Sequence, residues 1–238
     1  MERKIMSAET NRLPAGDISR HIRIPTGSAV LDGELMVPPN AEGFVIFAHA
    51  GSRRHGRNPE LARLLRQAGL GTLLVELLTP EECLEETQGA HHSFNMGLLT
   101  QRLACAAHWV ADEDEARTLR MGFLGSGTGA GGVLVAAADL GKSIGAVVSA
   151  GGRPDLAGNA LRRVKSPALL IVGERDSDVL DFNEDAYEML PVEKHLSIVR
   201  GASHEFEEPG TLETAARLAS DWFLEHLRPF SSARFIRT

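Results

Sequence analysis

The stretch GFLGSGTGAGG, Gly122 to Gly132, joins an apolar run to a run with helical periodicity. Two motifs nearly fit it. Gly125-x-Gly127-x-x-Ala130 has the spacing of a dinucleotide fingerprint, which needs an acidic residue at the end of the next strand to hold a ribose. That next run, IGAVVSAGG, ends without an acid, and the turn falls after several earlier strand-like runs rather than in the first βαβ unit. The nucleotide reading fails on context. The alternative is a strand-to-helix elbow, a turn so tight that the positions two before and two after its apex must be small. Centred on residue 127 those positions are Gly125 and Gly129; centred on Ser126 they are Leu124 and Thr128. Ser126 is therefore a poor apex, and its side chain is expected to point away from the site. The apex is Gly127, which carries no attacking atom.

Outward from this turn, strand-like and helix-like runs alternate. HIRIP and AVLDGELMVP, separated by Thr26-Gly27-Ser28, read as two strands with a turn between them. GFVIFAHAG is near-continuously apolar, as strands buried on both faces are. PELARLLRQAG has leucines at helical spacing and stops at Gly69. GTLLVELL, RMGFLG, IGAVVSAGG, PALLIVGERD and HLSIVRGASH are further strands. Between and after them, MGLLTQRLACAAHWVADE, TGAGGVLVAAADLG, LAGNALRRV, FNEDAYEML and TLETAARLASDWFLEHL read as helices. This alternation predicts an α/β fold with a mostly parallel central sheet flanked by helices on both faces. Residues 19–228 are expected to form one domain, with loose tails at 1–18 and 229–238. Gly131 and Gly132 inside a helix imply close packing against a neighbour, because each costs roughly 1 kcal/mol relative to alanine.

The bulk numbers narrow the function classes. With 25 Lys and Arg against 32 Asp and Glu, the formal charge is −7, the wrong sign for a general nucleic-acid binder. No apolar run is long enough to span a bilayer, and the first residues lack the apolar core of a signal peptide. Two cysteines, Cys83 and Cys105, form neither a disulfide framework nor a metal-type spacing, so a cytoplasmic location without cofactor or metal is expected.

An elbow predicts that an acid and then a histidine follow in chain order. Asp176 lies just beyond the strand PALLIVGERD, and His204 lies in the loop after the last strand. A histidine needs an anionic partner to fix its tautomer, and Asp176 fits that role, with Glu174 and Asp178 as alternatives. His91-His92 resemble metal ligands only superficially, since sequence neighbours point apart; they are expected as surface or pocket-rim residues near a lid-like segment, 80–95. The acidic runs ECLEE and DEDEA read as solvated faces or helix starts.

At these residues the chain resembles the dienelactone hydrolase family of α/β-hydrolases, in the branch also found fused to phosphoribosyltransferases. The likeness runs over about residues 30–228. It is carried by VIFAHAGSRRHGRN, GLGTLLVELLTPEE, GFLGSGTGAGG, VVSAGGRPDLAG, PALLIVGERD and GASHEFEEPG. It implies the α/β-hydrolase fold, a Ser or Cys nucleophile at the elbow, and hydrolysis of esters or lactones. It makes Asp176 the acid and His204 the base, and it places oxyanion donors at the Thr128 N–H and in the loop at Ala50-Gly51. The nucleophile would stand at 127, where this chain has glycine. The loop HAGSRRHGRN is also shorter than the Gly/Ser-rich loop usual there.

Loss of the nucleophile of a serine-type triad costs on the order of 10⁶ in turnover. Three accounts follow: a hydrolase scaffold stripped of its nucleophile, Asp176–His204 chemistry without a covalent intermediate, or a non-catalytic binding protein. In the last, the helix start at Thr128-Gly129, facing Arg53, Arg54, His55 and Arg57, would hold a carboxylate or phosphate. The expected partner is a small ester, lactone or carboxylate ligand, with no nucleic acid and no membrane.

Overall fold

The computed structural model describes residues 17–27, 29–50 and 57–228. The remaining positions, including most of the two tails, lie outside the described residues. Eight strands form one sheet in the order β1-β2-β4-β3-β5-β6-β7-β8. They are β1 (Ile18–Pro25), β2 (Val30–Val37), β3 (Gly43–His49), β4 (Leu70–Glu76), β5 (Met121–Gly127), β6 (Ile144–Gly152), β7 (Ala168–Gly173) and β8 (Lys194–Val199). β1 pairs antiparallel with β2, and β2 antiparallel with β4; every other pairing is parallel. β1 begins at Ile18, one residue inside the expected tail.

The helices divide between the two faces. α1 (Asn58–Gln67) and α6 (Thr211–Leu227) cover one face, where Leu65 and Phe223 pack with Phe47 and Leu124 of the strands. α3 (Met96–Asp112), α4 (Gly129–Leu140) and α5 (Ser177–Met189) cover the other, with Leu99 and Val133 against Ile46 and Phe123. Because both faces are covered, β3, β6 and β7 are buried almost throughout, which explains their near-continuous apolar sequence. The expected close packing of α4 is present. A Cβ at Gly131 would stand 2.8 Å from Leu156 Cβ, and one at Gly132 would stand 3.1 Å from Leu99 Cβ.

Three elements differ from the sequence expectation. LAGNALRRV is part of a 3-10 stretch, Pro154–Arg163, interrupted at Gly158, rather than a regular helix. α5 starts at Ser177, five residues before FNEDAYEML. The segment expected to be lid-like is built instead as α2 (Pro80–Thr87) and a 3-10 turn at His92–Phe94. Thr79 and Glu82 form a reciprocal capping box at the start of α2. Glu82 is also bound by the buried Arg102, whose Nη2 lies 2.7 Å from Glu82 Oε1 and whose Nη1 lies 2.6 Å from the Leu77 carbonyl. That guanidinium holds the Glu82 carboxyl below its ordinary range, with a smaller contribution from the Thr79 N–H. ECLEE is thus a capped and anchored helix, not only a solvated face.

Candidate functional site

Parallel strands carry their carboxyl ends to one edge of the sheet, where sites form in open α/β folds. A cavity of about 200 Å³ opens at that edge. His49, Ser126, Gly127, Thr128, Gly151 and His204 all line it, contributed by β3, β5, β6, the start of α4 and the loop after β8.

The β5–α4 turn is a tight part of the wall. A Cβ at Gly125 would fall 2.7 Å from both Ala130 Cα and the Gly129 carbonyl oxygen, and one at Gly129 would fall 2.8 Å from the Ala48 carbonyl oxygen. These neighbours are backbone and cannot swing aside, so glycine is required at both flanking positions. Gly127 differs from both. Its φ is +51°, a left-handed conformation that L side chains rarely adopt, yet a Cβ there would meet nothing within 4 Å. Thr128 caps α4 with helical dihedrals, so its N–H is among the unpaired donors of a helix start.

On the opposite wall, His204 Nδ1 lies 2.6 Å from Asp176 Oδ2. Asp176 sits at the start of α5, three residues beyond β7, and is mostly buried; His204 is more exposed. A carboxylate accepts only, so the proton of the neutral ring belongs on Nδ1 and Nε2 keeps its lone pair. Close backbone packing holds this corner. A Cβ at Gly151 would meet the His204 carbonyl at 2.5 Å, and one at Gly173 would meet the Ala202 carbonyl at 2.5 Å, so the loop rests directly on the ends of β6 and β7. The Glu208 carboxylate accepts the Ser203 N–H at 2.8 Å, and this bond holds its pKa below the ordinary range. Of the alternative acids, Glu174 accepts the Gly201 N–H at 2.7 Å, and Asp178 lies in the first turn of α5. Asp176 is the one bonded to the histidine.

Of the residues singled out from sequence, Ala50, Gly127, Thr128 and His204 line the cavity, with Asp176 directly behind His204. Arg57 lines it too, with Nη2 3.3 Å from the Glu207 carbonyl. Gly51, Arg53, Arg54 and His55 lie outside the described residues. His92 pairs with Glu85 at 2.7 Å, and no residue of 80–95 lines the cavity. The expectation that Ser126 points away from the site is overturned. Its hydroxyl lies on the cavity wall, 3.0 Å from Asn58 Nδ2, because the left-handed Gly127 turns the chain only after Ser126 has faced α1. No hydrogen bond joins Ser126 to His204 among the described residues; its hydroxyl is held by the Asn58 amide.

Sequence reasoning missed Asn58 and gave no role to His49, although Asn58 Nδ2 lies 3.0 Å from His49 Nδ1. The available signal was Asn58-Pro59, a helix-start pair following the strand that ends in His49. Among the described residues, no cluster of His, Cys, Asp or Glu is placed to hold a metal ion. No described helix is long and apolar enough to cross a membrane.

No protein-family model matches the chain. Two Mycobacterium tuberculosis proteins that bear the name phosphoribosyl transferase are 47% identical over 208 residues, or 87% of this chain. The chain spans about half their length, 46%. A dienelactone hydrolase-like promiscuous phosphotriesterase from metagenomic libraries shares the fold, with a TM-score of 0.69 at 19% identity, over 89% of this chain and 99% of that one. The dienelactone hydrolase of Anabaena variabilis, known from a crystal structure, matches with a TM-score of 0.85 and 46% identity, over 89% of this chain and 99% of its own. Identity at that level, sustained over nearly all of both chains, makes this chain a member of the dienelactone hydrolase family of α/β-hydrolases.

Proposed function

We propose that position 127 is the nucleophile's place in an ester- or lactone-hydrolase site, and that its occupation by glycine leaves covalent hydrolysis weak or absent. The observation that carries this reading is the unfilled space at Gly127. The backbone there is left-handed, a Cβ would touch nothing, and the Asp176–His204 pair lines the same cavity. Strand-to-helix elbows hold their nucleophile in a strained backbone conformation, and glycine adopts it at no steric cost. In this reading His204 Nε2 is the base, Asp176 fixes its tautomer, and the N–H groups of Thr128 and Ala50 receive the oxyanion.

The test is hydrolysis of p-nitrophenyl acetate and of a dienelactone by the native chain and by Gly127→Ser and Gly127→Cys. Gain of turnover in either variant over a native chain near background is the expected result. Ordinary enzyme rates from the native chain, retained after His204→Ala, would overturn the assignment.

A second reading is supported by Arg57, a cation on the wall of the same cavity as the α4 N-terminus. Here the native chain binds a small carboxylate without turning it over, and the dyad acts, if at all, by polarising a water. Thermal shift with simple carboxylates and phosphates tests it: a stabilisation lost in Arg57→Gln favours binding, and no shift with any of them counts against it.

A further inference from the structure

Asn58 is the first residue of α1, and its amide reaches two other elements. Nδ2 lies 3.0 Å from His49 Nδ1 at the end of β3 and 3.0 Å from Ser126 Oγ near the end of β5. Ser126 Oγ in turn lies 3.3 Å from Asn58 Oδ1. All three residues line the cavity. An amide nitrogen has two hydrogens, and here both are used, one on a ring nitrogen and one on a hydroxyl. A ring nitrogen that accepts carries no proton, so the neutral His49 ring has its proton on Nε2.

The placement matters more than the bonds themselves. His49 and Asn58 stand nine residues apart and bracket the β3–α1 connection, so their contact closes that loop at its base. Ser126 stands 68 residues from Asn58, immediately before Gly127 and Thr128, so the second contact ties the loop to the β5–α4 turn. These are the two backbone segments that would each supply one oxyanion donor, Ala50 from the first and Thr128 from the second.

We propose that Asn58 is a positioning residue that sets the spacing between these two segments and, through it, the geometry of the oxyanion site. The inference rests on reading Gly127 as the nucleophile's place. Oxyanion donors act over hydrogen-bond distances, and a displacement of about 1 Å at a reacting centre costs on the order of 10²-fold in rate. Asn58 does not touch the reacting atoms. Its loss should lower kcat and leave KM nearly unchanged, because the donors engage charge that develops only in the transition state.

The experiment is made in the full chain, in two backgrounds. In Gly127→Ser, adding Asn58→Ala is expected to lower kcat by about 10- to 100-fold with KM within about twofold. A kcat within about threefold of Gly127→Ser overturns the inference and leaves the functional reading standing. The native background needs no turnover. There, ¹⁵N shifts should show His49 Nδ1 unprotonated, and Asn58→Asp should move the proton to Nδ1, since a carboxylate can only accept. Asn58→Ala should shift the backbone amides of both Ala50 and Thr128. If Gly127→Ser and Gly127→Cys are both inert, the functional reading fails, and these shifts alone decide the role of Asn58. Changes confined to residues 57–59, or a His49 tautomer indifferent to Asn58→Asp, overturn the clamp. Should Asn58→Ala fail to fold, Asn58→Leu, of similar volume and without donor or acceptor, carries the kinetic and amide-shift measurements, and Asn58→Asp the tautomer.

Discussion

Two walls of one cavity are built in opposite ways. The wall after β7 and β8 is made of side chains: Asp176 bonds His204, Glu208 holds Ser203, and Glu174 holds Gly201. The wall at the β5–α4 turn is made of backbone, with three glycines alternating with Ser126 and Thr128. In the first, removing a side chain removes both a group and a support. In the second, the shape is fixed by the flanking Gly125 and Gly129, whose added Cβ atoms would strike main chain, and by the Gly127 carbonyl, which accepts the Arg153 N–H at 2.8 Å, while a Cβ at 127 would touch nothing. A side chain at position 127 is therefore decoupled from the packing around it. A side chain there can come or go without repacking its neighbours, and meets only the cost of the left-handed φ.

The largest effects should come from the side-chain wall once the other wall is armed. In Gly127→Ser, His204→Ala is expected to lower kcat on the order of 10⁶-fold, because a hydroxyl without its base attacks no faster than if it were absent. Asp176→Asn is expected to cost about 10⁴-fold, because an amide that donates to Nδ1 places the ring proton on the wrong nitrogen. Steady-state kinetics on p-nitrophenyl acetate measure both. Should Asp176→Asn prove harmless, the 2.6 Å contact to His204 would be a support rather than a catalytic arrangement.

The backbone wall should answer in stability instead. Gly125→Ala forces a Cβ to 2.7 Å from main-chain atoms and should cost about 3 kcal/mol. Gly127→Ala meets no atom and is charged only for its left-handed φ, about 1–2 kcal/mol. For a chain of this size each kcal/mol lowers Tm by about 2–4 °C, so thermal melts separate the two. Equal losses would mean that residue 127 is as constrained as its neighbours, and the decoupling would be wrong.

The same contrast explains what could be read from sequence. The sheet and most helices were legible because buried strands must be apolar on both faces and because glycine, proline and acidic residues mark helix ends. The turn was legible because its geometry forbids side chains at 125 and 129, and Asp176 and His204 because strand ends announce where sites form. Ser126 was misread because the small-residue rule locates an apex but says nothing about which way the preceding side chain faces. Asn58 was invisible for a related reason. Its partners lie nine and 68 residues away, and only the parallel pairing of β3 with β5 brings them together. For α2, ECLEE allows either a solvated face or a helix start; the capping box Thr79-x-x-Glu82 decides for the helix start, and that pairing lies partly outside the acidic run itself.

The smallest expected effect separates the walls by pH. Glu208 accepts the Ser203 N–H and, at 3.1 Å, approaches the Ser203 hydroxyl, with Arg175 3.2 Å away. Its pKa is lowered, first by the Ser203 backbone bond and in smaller part by the Arg175 charge. A depressed folded-state pKa contributes stability that is present above the unfolded value, about 4.3, and is lost as pH falls through the lower folded value. Acidification below about pH 4 should therefore loosen the loop at Ser203–Phe206 before the domain unfolds. The β5–α4 turn has no titratable side chain between Gly125 and Gly129 and should not respond. Amide hydrogen exchange, corrected for the intrinsic pH dependence of exchange, reads both segments in one sample. Protection should fall at Ser203 and stay constant at Gly132, whose N–H donates to the Thr128 carbonyl, and Glu208→Gln should reproduce the acid behaviour at neutral pH. Parallel loss of protection in both segments would mean that the two walls are coupled, and the independence assigned to position 127 would have to be given up.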